Sequence, residues 1–372
     1  MINTQTLRVP FHDFEARAQR WSKEWEESLI SCVRDLDWVR PSRSISLFEE
    51  EFAAYCGVKH AIATASGSAA LLLVMLTLGI RPNDEVVTVG STFVATVSAI
   101  RLLGGKPILV DIERDSYTMD PSRVVETLSS RSKVLLPVHL FGRLAAVQDL
   151  YKIATSKGMV VVEEACQAVG AQRGLLRAGA LGDAAVFSFG REKSIAGLGE
   201  GGAVVTNDDQ LAHLLRCYCN QGRDGDDHVV IGSNFRIDPL QASILRAELR
   251  RADETLHEKR VIAACYNKAF AHLGIVHNPV VPPEETHGYY VYAIEVEDRS
   301  YFCKRLDAKG IGWRIHYPRP VHLYSAYKGI AVPNSLPTTE WLANHVVSIP
   351  LRSDMTENEV NMVIEAVSEA LA

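Results

Sequence analysis

Between about residues 60 and 206 the chain alternates between two textures. Short apolar runs rich in β-branched residues occur at Glu85-Val-Val-Thr88, Pro107-Ile-Leu-Val-Asp111, Val134-Leu-Leu-Pro-Val138, Met159-Val-Val-Val-Glu163, Ala184-Ala-Val-Phe-Ser188 and Ala203-Val-Val-Thr206. Stretches with helical spacing lie between them. None of the runs alternates apolar with polar positions, so each strand needs cover on both faces. Such strands, separated by helices, predict a mostly parallel sheet between helical layers. Helix starts are also legible. Ser46-Leu-Phe-Glu49 has the form of a capping box and predicts the start of the helix that carries Phe48, Phe52 and Tyr55. Ser68 stands at the start of an apolar helix from Ala69, and Thr92 precedes a third. Asp238 and Pro239 form an N-cap and first-turn pair that opens a helical region to about Ala271.

The texture changes after Pro279-Val-Val-Pro-Pro283. His287-Gly-Tyr-Tyr-Val-Tyr-Ala-Ile-Glu295 alternates like a half-buried strand. A helix from Ser300, a strand from Trp313 to Tyr317 and a closing helix from Thr356 to Leu371 follow. The expected organisation is a large α/β domain over residues 1–250, with an N-terminal helical segment, and a smaller α+β domain over residues 251–372.

Composition narrows the function classes. A net charge of -6 gives no basic surface for nucleic acid or an anionic membrane. Ala61 to Ile80 is uncharged, but only Ala69 to Ile80 is strongly apolar, a length that suits a buried helix better than a membrane span. The seven cysteines are scattered and odd in number, as expected of reduced thiols. Cys217-Tyr-Cys219 is the one close pair, without a second pair or a neighbouring histidine cluster, so no metal site is expected. The opening residues show no charged-then-apolar leader, and a cytoplasmic protein is expected.

Candidate chemistry gathers at the junctions between strands and helices, where a doubly wound sheet presents its crevice. Ser66-Gly67-Ser68 precedes the Ala69 helix and could form an anion site from backbone N–H groups, the Ser68 hydroxyl and the positive helix end, though such a tripeptide is often only a cap. Phe93 follows Thr92 and could lie against a flat ring, or simply be core. Glu163 and Glu164 end a strand and point to opposite faces, so they are not an acid/base dyad; one faces the crevice. A buried carboxylate there needs a cation, either a protonated ring nitrogen or an ordinary Lys or Arg. Lys193 sits in a Gly-rich loop five residues after Ser188. A lysine so placed can form a Schiff base with an aldehyde whose phosphate the serine holds, provided its surroundings lower its pKa. Most loop lysines are merely solvated. Gly197-Leu-Gly-Glu-Gly-Gly202 matches G-x-G-x-x-G, but a strand and not a helix follows it, which is wrong for a dinucleotide. These glycines are expected instead to let the backbone pass close to a cofactor beside Lys193.

Taken in order, these pieces resemble the DegT/StrS-type sugar aminotransferases, fold-type-I enzymes that use pyridoxal phosphate (PLP). The resemblance covers nearly the whole chain. It runs through Phe48-Glu-Glu-Glu-Phe-Ala, Ser66-Gly-Ser-Ala-Ala-Leu71, Asn83-Asp-Glu-Val, Thr92-Phe-Val-Ala-Thr96 and Pro137-Val-His-Leu-Phe-Gly142. It continues through Glu163-Glu-Ala-Cys-Gln167-Ala-Val-Gly170, Ser188 with Lys193, Gly201-Gly-Ala-Val-Val-Thr-Asn207, Asn234-Phe-Arg236 and His316-Tyr-Pro-Arg-Pro-Val-His322.

The resemblance implies a Schiff base at Lys193. It implies a phosphate held by Ser188, Ser68 and the Gly67 backbone, with Asn234 reaching in from the partner of a homodimer. Phe93 would stack on the ring and Gln167 would stand near its phenolic oxygen. Glu164 falls where the family usually has aspartate, paired with the ring nitrogen, and Val169 falls where histidine is common. Related sugar dehydratases replace the lysine with histidine, so Lys193 implies transamination. The implied reaction moves an amino group from glutamate or glutamine to the keto group of a dTDP- or UDP-linked deoxy-ketosugar, through the PLP and aminated (PMP) forms of the cofactor.

For the acceptor, Arg191, Arg236, Arg314, His316, Arg319 and His322 are candidates, the arginines for a diphosphate; an ordinary ion pair is each arginine's commoner fate. A keto-cyclitol acceptor, as in aminocyclitol antibiotic pathways, is the same-chemistry alternative. A PLP-binding regulator without turnover ranks below it, and an NAD-linked oxidoreductase, resting on the Gly197–Gly202 match alone, ranks last.

Overall fold

Six of the apolar runs become strands of one seven-stranded sheet, joined by a strand at the start of the region. The seven are β1 (His60–Thr64), β2 (Glu85–Val89), β3 (Lys106–Val110), β4 (Ser132–Leu135), β5 (Val160–Glu164), β6 (Ala184–Ser188) and β7 (Gly202–Thr206). Their order across the sheet is β1-β7-β6-β5-β4-β2-β3. Only β7 opposes its neighbours; it pairs antiparallel with both β1 and β6, while β6, β5, β4, β2 and β3 run parallel. The fold is therefore α/β with a mostly parallel sheet. The structure, a computed structural model, describes residues 8–39, 41–271, 273, 281–332 and 335–371. Residues 279 and 280 of the Pro279–Pro283 run lie outside them.

The period of two sorts the strand residues between layers. Ile62, Val186 and Val204 pack with Leu73, Ile100 and Leu215 on one face of the sheet. Ala63, Phe187 and Val205 pack with Phe48, Phe52 and Leu245 on the other. A separate apolar cluster lies C-terminally. It joins Tyr266 and Phe270 of the helix Ala252–Phe270 to the antiparallel pair β8 (Tyr292–Glu295) and β9 (Val346–Ile349), with Phe302, Leu306, Val363 and Val367 from two further helices. Val9, from the start of the described chain, belongs to this cluster and bridges Ile311.

Several local expectations change. The helix expected to start at Ser46 starts at Arg43, capped by Ser42, whose hydroxyl accepts from the Ile45 N–H at 3.4 Å. Glu49 is thus not a capping partner. Its carboxylate is buried, accepts from the Ala63 N–H of β1 at 2.8 Å, and is held by Arg216. The region from Pro239 breaks into two helices, Pro239–Arg250 and Ala252–Phe270, at Arg251, which bonds Glu24 and Glu248. Only Tyr292–Glu295 of the expected His287–Glu295 strand is extended and paired, and all four residues are buried rather than alternating. Trp313 to Tyr317 forms no named strand; Arg314 makes a single bridge to Ser348. Asp238 does cap its helix, accepting from the Leu240 N–H at 3.0 Å. Among the described residues no helix is long and apolar enough to cross a membrane.

Candidate active site

The ends of three neighbouring strands are locked by one glycine. Gly202, the first residue of β7, pairs with Thr64 of β1 on one side and Ser188 of β6 on the other. The chain leaving β1 turns through Ser66 directly over it. A Cβ at Gly202 would stand 2.4 Å from the Ser66 carbonyl carbon and oxygen, and a Cβ at Gly67 would stand 2.6 Å from the Ser188 Cβ. Both positions require glycine because backbone meets backbone, or backbone meets Cβ, below van der Waals contact. Gly202 therefore admits the Ser66 turn.

This close approach brings the Ser66–Ser68 turn beside Ser188. The helix begins at Gly67, and Ser66 caps it by accepting the Ala69 N–H at 3.1 Å. Because Ser66 does the capping, the Ser68 hydroxyl is left without a hydrogen-bond partner among the described residues. Two hydroxyls, the first N–H groups of an eleven-residue helix and its positive end face one cavity. That donor set suits a phosphate dianion.

At the end of β5 the two carboxylates separate as the strand period requires. Glu163 is fully buried away from the cavity and accepts N–H groups from Gly179 (3.0 Å), Leu181 (2.8 Å) and Gly182 (2.8 Å). It also meets His139 Nε2 at 2.9 Å; His139 Nδ1 accepts the Ala145 N–H, so Nε2 carries the hydrogen and donates. Glu163 is structural. Glu164 turns into the cavity, 5% exposed, and accepts only the Cys166 N–H, at 3.1 Å. Among the described residues no Lys, Arg or His pairs with it. A buried carboxylate at a cavity wall without its cation fits a protonated pyridine nitrogen.

Lys193 enters the same cavity from the loop after β6, its Nζ 4.5 Å from the centre of the Tyr290 ring and, among the described residues, without a carboxylate partner. Phe93 is 53% exposed and lines the cavity, which rules out the core alternative. Gln167 is held at both ends: its Oε1 accepts the Phe141 N–H at 2.7 Å, which fixes the amide so that Nε2 donates to the Tyr317 hydroxyl at 2.8 Å. Burial pushes the Tyr317 hydroxyl well above its ordinary pKa, so it keeps a hydrogen to donate. Burial, with the positive charges of Lys193, His12 and Arg314, pushes His316 down to about 4; its Nδ1 meets the Ser348 hydroxyl at 3.0 Å. The cavity measures about 520 Å³, within the range of small-molecule sites.

The remaining candidates divide. Arg191 and His316 line this cavity. Arg236, Arg314, Arg319 and His322 do not. Arg236 lies in a separate depression with Arg216 and Arg223, and bonds the exposed Asn234 through its Nε at 2.9 Å. Arg319 is exposed over the Tyr324 ring, Arg314 stands over Phe11, and His322 meets Glu340 at 3.4 Å. Asn234 is outside its own chain's cavity. Val169 is buried in the core behind the sheet. Tyr317, Tyr290 and Cys166 also line the cavity and were missed. Tyr317 lies inside the His316–His322 segment already singled out, where the charged neighbours drew attention from it; Tyr290 carried no signal beyond its place in an apolar run.

The family model described as the DegT/DnrJ/EryC1/StrS aminotransferase family matches residues 22–368. The dTDP-3-amino-3,4,6-trideoxy-alpha-D-glucose transaminase of Streptomyces venezuelae is 37% identical over 98% of this chain and 97% of its own. The dTDP-3-amino-3,6-dideoxy-alpha-D-galactopyranose transaminase of Aneurinibacillus thermoaerophilus is 34% identical over 97% of this chain and 99% of its own. Among solved structures, the crystal structure of S. venezuelae DesV in complex with a ketimine intermediate superposes with a TM-score of 0.93 at 37% identity, covering 98% of this chain and 99% of that one.

Proposed function

This chain belongs to the DegT/DnrJ/EryC1/StrS aminotransferase family, whose cofactor is pyridoxal phosphate, and on that premise we propose that it aminates a nucleotide-linked deoxy-ketosugar with glutamate or glutamine as donor. The observation that carries the proposal is the meeting of Lys193, Glu164, Ser188 and the Ser66–Ser68 turn in one cavity, each without a competing ionic partner among the described residues. When bound, the cofactor supplies an electron sink for the carbon that loses its proton. Everything else falls to the protein. Ser68, Ser188 and the N–H groups of Gly67 and Ser68 would hold the phosphate. Glu164 would hold the ring nitrogen in its cationic form, and Phe93 would cover the ring face. Gln167 would direct a hydrogen bond at the ring's edge, braced by Phe141 and Tyr317. Lys193 takes the donor's α-proton at Nζ and returns it, as general base and then general acid. His316 stays neutral at working pH, so it adds no charge that would compete with the Lys193 proton.

A dTDP or UDP acceptor is supported by the relatives' substrates, and Arg191 at the mouth is a cationic side chain suited to meet a diphosphate. A homodimer is part of the proposal, supported by Asn234: it is exposed and outside its own cavity, a position that suits completing a partner's site. A cytoplasmic location is part of the same proposal, supported by the seven free thiols. The test is direct. Keto-sugar nucleotides and keto-inositols are offered to the aminated enzyme, and recovery of the starting cofactor spectrum is followed. Turnover with dTDP- or UDP-ketosugars is expected. Turnover confined to keto-inositols, or to no acceptor at all, overturns the assignment.

A further inference from the structure

We propose that His213, Cys217 and Asp224 form a three-ligand site for a zinc-class divalent cation, remote from the cavity that holds Lys193. His213 and Cys217 are four residues apart on the helix Asp209–Cys219 and so share a face. Asp224 comes from a two-stranded hairpin, Arg223–Asp224 with Asp227–His228, just beyond that helix. The hairpin base is pinned where it must be. The Gly222 N–H donates to the Cys217 carbonyl at 2.8 Å, and a Cβ at Gly222 would stand 1.7 Å from the Val230 oxygen. The turn is therefore built around the residue that carries the thiol.

The ligand atoms converge instead of forming a chain. One nitrogen, His213 Nε2, faces both partners, lying 3.2 Å from Asp224 Oδ2 and 3.8 Å from Cys217 Sγ. Zinc–ligand lengths of roughly 2.0–2.3 Å in a tetrahedron place neighbouring ligands about 3.3–3.6 Å apart. Two of the three separations already lie close to that range, and all three are within 4.8 Å. Asp224 is on the surface and free to take up the remainder. Among the described residues its one ion-pair partner is His213. A thiolate and a carboxylate together neutralise a dication, a neutral imidazole completes the borderline-soft set, and the fourth position is open to water. An ion there would clip the hairpin to the helix, next to the Asn220–Asn234 bridge. The sequence hid the site because Asp224 is seven residues from Cys217, across a turn that no motif spacing describes.

The test uses the full-length holoenzyme dialysed against a chelator, titrated with zinc by calorimetry, with zinc per chain measured by elemental mass spectrometry. One zinc per chain is expected. His213→Ala and Asp224→Asn, both on the surface, should each weaken binding at least tenfold with an unchanged circular dichroism spectrum. Cys265→Ser, which removes the exposed thiol, should leave it unaltered. No zinc on the wild-type chain overturns the proposal, as does binding that survives His213→Ala or is lost with Cys265→Ser.

Discussion

Along the floor of the cavity, Thr64, Gly202 and Ser188 occupy one row of the sheet, and the Ser66 turn presses on the glycine of that row. Along its rim, the segment from Trp313 to His322 is attached by the Arg314–Ser348 bridge and by the Val321 N–H to Gly90. The floor positions its groups by strand register and by the contact of the Ser66 turn with Gly202. The rim positions His316 and Tyr317 through side-chain contacts, to Ser348 and Gln167, and leaves Arg319 on the surface. The difference is one of attachment: Ser188 and the Ser66 turn sit at hydrogen-bonded strand ends, whereas His316 and Tyr317 sit on a segment outside the sheet.

The comparison can be broken most severely at the floor. Lys193→Ala should lower amination by at least about a thousandfold while the protein still retains cofactor non-covalently; steady-state rates and borohydride labelling followed by mass spectrometry check both parts. Glu164→Gln should cost about a hundredfold in rate and little stability. Its neighbour should do the reverse, Glu163→Gln losing about 1.5–3 kcal/mol of stability as its charge-assisted bonds weaken. Rates and denaturant midpoints on the two variants separate the roles. Gly202→Ala forces the Ser66 turn away and should cost about 1–3 kcal/mol, with cofactor lost more readily on dialysis.

Substitutions at the cavity mouth and on the rim should be milder. Arg191→Ala should raise the acceptor KM about tenfold, equivalent to about 1.4 kcal/mol, while Arg319→Ala changes it less than about threefold. A large Arg319 effect would place the acceptor across the rim and not at the cavity mouth. The smallest effect concerns pH. His316 is pushed from 6.5 to about 4 in the folded state, so between those values the unfolded chain binds the extra proton and stability is lost as pH falls. His12, pushed down to about 4 mainly by burial, acts in the same direction. His316→Gln should therefore flatten, without abolishing, the decline in denaturant midpoint between pH 6.5 and 4.

Much of the floor was legible. Each apolar run lacking alternation became a strand covered on both faces, and the Glu163–Glu164 pair split across the sheet as a period of two requires. Cap assignments fared worse. Ser46 and Glu49 have capping-box spacing, yet the helix starts three residues earlier with Ser42 as its cap, and Glu49 instead holds the Ala63 amide and Arg216, groups that come near only through folding. The His287–Glu295 run alternates in sequence, but its last four residues are covered on both sides: Tyr292 and Ile294 pack with Tyr266 and Phe302, Ala293 belongs to the cluster of Val138 and Phe141, and Glu295 accepts from Tyr117 and Trp341.

The chain by itself determined the alternation of strands and helices, the end of the strand at Glu164, and the lysine, serines and glycines at the strand ends, because these follow from local periodicity and residue chemistry. The tertiary structure alone decided the rest. Gly202 became a spacer for Ser66 because two strands flank it, Tyr317 reached Gln167 across 150 positions, and Arg236 and Arg319 were left outside the cavity. Such contacts depend on which distant surfaces are pressed together, and no local pattern encodes a distance between residues that meet only when the core closes.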